Sequence, residues 1–393
     1  MIIALAFSLV FIAVSAIGPI GLADATAFVQ SINFTDTLLH GMLAFLLFAG
    51  ALHVNLNDLR SEAMPVAILS TLGVVIATAV TGLLLWLIAL AIGIELPLIY
   101  ALLFGALISP TDPIAVLGIL KRVKAPKPLE TEIAGESLFN DGVGVVVFLT
   151  ILDVALGRSD AEIGHVAWFL LKEAAGGCVF GLLLGWTFYR LLKSVDIYQV
   201  EVLLTLALAA GGYSLAEAIH VSAPITIVVA GLFIGNHGRA FAMSETTREH
   251  LDTFWELVDE ILNAILFVII GLEFLAIRLD AGHITIAISA IVVVLIARYA
   301  SVGILVGAMQ LKRRFSRGAT EILTWAGVRG GISIALALSI PVSPERQVIL
   351  AATYSVVIFS VLVQGLSIGK VVAMRGDRPA GKHEAKSPSP TSA

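Results

Sequence analysis

Two short stretches concentrate the residues able to do chemistry: Ser109-Pro110-Thr111-Asp112-Pro113, and Glu136-Ser137-Leu138-Phe139-Asn140-Asp141. Both are embedded in apolar sequence of a length suited to a bilayer. A carboxylate at that depth costs roughly 3 kcal/mol on insertion scales and by default marks a substrate or proton path. On a helix Glu136 and Asn140 are four apart, as are Ser137 and Asp141, so each pair shares a face and the two faces adjoin. Asp141, Ser137 and Thr111 then offer hard oxygen ligands, which suit a small dehydrated alkali cation. Asn140 is better suited to hydrogen bonding.

Two arginines stand at similar depth. Arg298 lies about 21 Å into its apolar run and Arg329 about 15 Å into the next, with Asp141 about 15 Å from Thr131, where its helix is expected to start. A lone arginine there would be prohibitively unstable, so each requires a carboxylate or carbonyl partner. Pro110 and Pro113 remove amide donors around Thr111 and Asp112, and this helix is expected to break, freeing carbonyls toward a bound ion. Gly327-Val328-Arg329-Gly330-Gly331 predicts a second break seven spans later. Matched interruptions in two halves point to an inverted-repeat transporter with a midplane site.

These elements belong to a membrane protein. The 393 residues are 58% apolar and 13% charged, against about 25% charged for a soluble domain, and the mean hydropathy is +0.98. Hydrophobic runs between breakers predict an all-α protein of twelve spans, near 2–19, 37–54, 64–92, 96–120, 131–155 and 164–192, then 199–219, 222–238, 252–277, 284–310, 319–340 and 346–371. The first run reads as a retained helix rather than a signal peptide. Lys121, Arg122, Lys124, Lys127, Lys312, Arg313, Arg314 and Arg317 fall on one side of this map, while Arg158, Arg278 and Arg346 fall on the other, which predicts cytoplasmic termini. One transmembrane domain over 1–372 and a disordered tail over 373–393 follow.

Other classes fit less well. The single Cys178 excludes an intramolecular disulfide and most thiolate metal sites. Ser333 is followed by no histidine before His383, so nothing activates it, and neither a His-Glu-x-x-His motif nor a phosphate loop is present. An enzyme is therefore not expected, nor is a nucleic-acid partner. Asp252, Glu256, Asp259 and Glu260 either draw cations toward the ninth span or form a solvated helix start. Trp168, Trp186, Trp255 and Trp325 fit an interfacial belt or packing, and His40, His53, His220, His237 and His250 lie near span ends. Asn33-Phe34-Thr35 matches a glycosylation sequon without implying modification.

Thr111-Asp112-Pro113, Glu136-Ser137 with Asn140-Asp141, Ile296-Ala297-Arg298 and Gly327-Val328-Arg329-Gly330 resemble the signature of sodium/proton antiporters of the NhaP and NHE type. Phe254-Trp255-Glu256 through Glu273 is similar to that family's ninth core helix, and Leu43 to Asp58 to its Phe-Ala-Gly segment. The resemblance implies a fold of inverted repeats with two crossed broken helices. Asp141 would carry the ion or the proton, with sodium held at Asp141, Thr111 and Ser137 and with Glu136 and Asp112 close to the ion. Glu136 and Arg298 would form a structural ion pair, while Asp112 and Arg329 steady the broken helices. It further implies a homodimer in the cell membrane, needing no cofactor beyond the transported Na+ or Li+ and H+. With Asn140 beside the one titrating Asp141, exchange is expected to be one for one and electroneutral. A potassium/proton antiporter, or another ion-coupled transporter of the same fold, is the alternative.

Overall fold

Main-chain amides and carbonyls within a bilayer have no water to bond, and an apolar chain of this kind satisfies them inside helices. The computed structural model describes residues 41–375 apart from 113, 124, 159–162, 274–280 and 314, and every regular element among them is helical. The first are α1 (Leu43–Leu52), α2 (Leu56–Ser61), α3 (Ala63–Ile92), α4 (Leu98–Ile108), α5 (Ile114–Arg122) and α6 (Lys127–Ala155). Then come α7 (Ile163–Leu192), α8 (Tyr198–Ala218), α9 (Ala223–Phe233), α10 (Glu245–Glu273) and α11 (Ala281–Gln310). The last are α12 (Ala319–Trp325), α13 (Gly331–Ser339), α14 (Pro344–Phe359) and α15 (Gly365–Arg375). Single π-helical turns follow α9, over Ile234–Gly238, and join α14 to α15, over Ser360–Gln364.

Residue chemistry sets many of the ends. The Asn55 side chain accepts the amides of Asn57 and Asp58 to open α2, and Ser343 accepts Arg346 N–H to open α14. Gly93, at φ 77°, closes α3 in the left-handed conformation.

Seven helical stretches among the described residues are long and apolar enough to cross a membrane unaided. The difference from twelve has physical causes. The interval 2–19 lies outside the described residues, as do the Asn33 sequon and the tail beyond 375. Within the described part of 37–54, the apolar helix α1 has ten residues. Intervals 96–120 and 319–340 are interrupted, at 109–112 and 326–330. Interval 252–277 falls on α10, whose first half carries too many charges.

α9 packs against α1, α6, α7 and α8, and α3 against α4, α6 and α11, so that α6 runs through the interior of the bundle. Close packing of α3 on α4 depends on Gly105, where a Cβ would come within 2.3 Å of the Thr78 carbonyl oxygen. Trp255 is fully buried against Phe48, ring centroids 4.7 Å apart, and its indole N–H donates to Thr205 Oγ1 at 3.0 Å; it packs the interior, whereas Trp168 and Trp186 are exposed.

Candidate ion-binding site

The buried face of α6 carries Glu136, Ser137, Asn140 and Asp141, each less than a tenth exposed. This polar stretch remains helical because every backbone bond is made within the element, leaving the side chains to find partners on neighbours. Glu136 does so with both oxygens: Arg298 Nη1 donates to Oε1, and Nη2 donates to Oε2 at 2.9 Å. The same Nη2 also donates to the Leu323 carbonyl near the end of α12, at 3.2 Å. Such a two-pronged, multiply bonded geometry is what allows an ion pair to persist away from water.

The break after α4 lies against this face. Thr111 N–H donates to Asn140 Oδ1 at 3.2 Å, and Asn140 Nδ2 donates to Thr111 Oγ1 at 2.8 Å. The Thr111 and Ser137 hydroxyls are 2.8 Å apart. One asparagine thus answers the donor and acceptor of a residue that the prolines have taken out of helical pairing.

The second break meets the first. Asp112 N–H donates to the Val328 carbonyl at 2.7 Å. Arg329, 2% exposed, donates through Nη1 to the carbonyls of Ser109 and Pro110, two of the acceptors at and just beyond the end of α4. A positive guanidinium there also complements the negative end of that helix. Gly330 permits the approach, since a Cβ would stand 2.9 Å from the Asp112 side chain.

A cavity of about 410 Å³ adjoins both breaks, and Asp141, Thr111 and Asp112 line it. The same cavity reaches Asp58, Lys121, Lys127 and Glu130, on the lysine-rich side of the predicted topology. Asp141 Oδ1 is buried and has no hydrogen-bond partner among the described residues. A carboxylate with an unpartnered oxygen, lining a cavity together with a threonine, can hold a proton or a dehydrated monovalent cation, and not both.

A family model described as "Sodium/hydrogen exchanger, transmembrane" matches residues 6–374. The chain belongs to that family. This exchanger is 50% identical over 377 residues to "Na(+)/H(+) antiporter NhaP" of Pseudomonas aeruginosa, spanning 95% of this chain and 89% of that one. It is 36% identical over 355 residues to "Na(+)/H(+) antiporter NhaH" of Halobacillus aidingensis, spanning 88% and 85%. Its fold is similar to that of the sodium proton antiporter MjNhaP1 from Methanocaldococcus jannaschii, with a TM-score of 0.74 at 20% identity over 93% of this chain and 92% of that one. The exchanger is a multi-pass membrane protein of that fold.

Within this exchanger, the residues singled out from sequence separate into two layers. Thr111, Asp112 and Asp141 face the cavity. Ser137 and Asn140 sit behind Thr111, and Glu136 is occupied by Arg298. Of the acidic cluster on α10, Glu256 and Asp259 line the cavity, whereas Asp252 pairs with Arg239 and lies 3.8 Å from His53. Sequence reasoning missed Asn263, which donates to the Asp259 carboxylate at 3.2 Å and also lines the cavity. It missed Gln364 as well, a buried glutamine inside the last apolar run that no motif marks.

Proposed function

We propose that this exchanger is a secondary active antiporter that trades Na+, or Li+, for H+ at Asp141 by alternating access. The observation that carries the reading is the buried, unpartnered oxygen of Asp141, a residue that lines one cavity together with Thr111 and Asp112. The names of the relatives that are 50% and 36% identical agree with it. Cation and proton compete for one carboxylate; a bundle that exposes the carboxylate to each side in turn couples their opposite fluxes without nucleotide or redox chemistry. Thr111 adds to the ion's oxygen shell, Ser137 holds the Thr111 hydroxyl from behind, and Asp112 adds negative potential. Glu136 with Arg298, and Arg329 with the two breaks, hold the frame and carry no transported charge.

Asn140 does not titrate, so one positive charge moves each way per cycle and the exchange is electroneutral. The end of the cavity that reaches Asp58, Lys121, Lys127 and Glu130 faces the cytoplasm, because the loops on that side hold most of the Lys and Arg, with both termini on the same side of the bacterial inner membrane. The antiporter works as a homodimer and needs no cofactor. Purified protein in proteoliposomes, with an imposed pH gradient and Na+, Li+ and K+ supplied in turn, tests this reading. Proton flux with Na+ and Li+ is expected; flux with K+ alone would replace it by potassium/proton antiport, and no flux with any cation would reject it.

A further inference from the structure

The chain leaves the helix after Trp325, two residues before the Gly327-Val328-Arg329-Gly330 stretch, so that Ile322 keeps its usual i+4 amide, from Ala326 at 2.7 Å, while the carbonyls of Leu323, Thr324 and Trp325 lose theirs. Away from water each needs another donor. Arg298 reaches the carbonyl of Leu323, and Gly327 N–H that of Thr324 at 3.3 Å. The Trp325 carbonyl is met by the last membrane-crossing stretch: Gln364 Nε2 donates to it at 3.3 Å.

That donor is built with some care. Gln364 is 3% exposed and Ser360 1% exposed, and Ser360 Oγ donates to Gln364 Oε1 at 2.7 Å, which turns the amide nitrogen toward Trp325. Both residues belong to the π-helical turn Ser360–Gln364. The extra residue in such a turn rotates the following helix by about 100° relative to an uninterrupted one, and π-turns concentrate at functional positions. One turn on, Ser367 Oγ receives the Trp325 indole N–H at 2.8 Å. Trp325 is therefore held by both its main chain and its side chain, on the approach to Arg329.

From this geometry we infer that Gln364 is a positioning residue for ion exchange. By fixing the end of α12 it sets where Val328 and Arg329 emerge, and these two hold the Ser109–Asp112 break that joins Thr111 to Asn140, next to Asp141. Gln364 touches neither ion. The inference rests on the antiport reading above.

The test compares unaltered protein with Gln364→Met, which keeps the length of the side chain but has no donor, and with Ser360→Ala, which leaves the amide undirected. In proteoliposomes the apparent KM for Na+ is expected to rise roughly threefold or more in Gln364→Met, within the range seen for residues coupled to a site they do not touch. The acid limb of the pH profile should move to higher pH, because a weakened cation loses to the proton sooner. Ser360→Ala should move both in the same direction by less, and decides the matter if Gln364→Met does not fold. Amide hydrogen exchange over 326–331 should be faster in each variant. Unaltered KM and pH profile would overturn the positioning role, as would a loss of rate that only follows a lower melting temperature. If the unaltered protein moves no protons with any cation, it is the antiport reading that falls; equal amide exchange over 326–331 in all three proteins would overturn the bracket itself.

Discussion

Asn140 and Thr111 are joined reciprocally: the asparagine accepts the threonine's main-chain N–H at 3.2 Å and donates to its hydroxyl at 2.8 Å. This joins the interior helix to the break without using a charge, and leaves the neighbouring Asp141 with a buried oxygen that has no hydrogen-bond partner among the described residues.

Asn140→Ala deletes both contacts and strands a buried N–H. The expected loss of stability is about 1–3 kcal/mol, the penalty of an unsatisfied buried donor. Thermal melting in detergent should register it, together with a weaker apparent cation affinity. An unchanged melting temperature would mean that the break is held elsewhere.

Asp141→Asn should abolish exchange while leaving a folded protein, because the amide keeps the shape of the carboxylate but binds neither a proton nor the ion's charge. Size-exclusion chromatography and proteoliposome flux on the same preparation check this. Monodisperse protein with full sodium-driven proton flux would remove Asp141 from the transport cycle.

Arg298→Ala leaves Glu136 charged and buried at 1% exposure, at a cost of about 3–5 kcal/mol, typical for a broken buried pair. Melting temperature should fall more than the apparent cation affinity of the surviving protein changes. Adding Glu136→Gln should recover part of the loss. A double variant no more stable than Arg298→Ala alone would argue that the guanidinium acts chiefly through Leu323.

Competition at one carboxylate fixes the sign of the pH dependence. The protonated group cannot hold the cation, so apparent cation affinity should weaken as pH falls through the site's effective pKa and level off well above it. Moving one positive charge each way, the cycle should also run at the same rate when the membrane potential is clamped at different values. Rates that follow the potential at fixed ion gradients would require an unequal stoichiometry.

The breaks were legible because proline and glycine act locally: Pro110 denies an amide to its own helix, and Gly330 admits a neighbour that a Cβ would meet. The polar face of α6 was legible from four-residue spacing. Burial alone demands only some acceptor for Arg298, and it was the family resemblance that named Glu136; the 162 residues between them are closed by packing of the bundle. The role of the α10 carboxylates was ambiguous because their charges suit both a solvated helix start and a cavity wall; Asp252 and Asp259, seven residues apart, share a face, and it is about 10 Å of distance along the helix that sets one against Arg239 and the other at the cavity. Gln364 escaped notice because a glutamine in an apolar run has no distinctive motif, and its function depends on an extra residue in the turn that residue types do not announce.

Arg329 grips the first break through the carbonyls of Ser109 and Pro110, and Asp112 meets Val328 through the main chain alone. None of these ties reads the side chain at 109 or 328. Those positions can drift during evolution without loosening the grip, and coupling methods that look for side chains changing together would assign Arg329 no partner there. By such a measure it would look solitary, although its guanidinium joins two segments 219 residues apart.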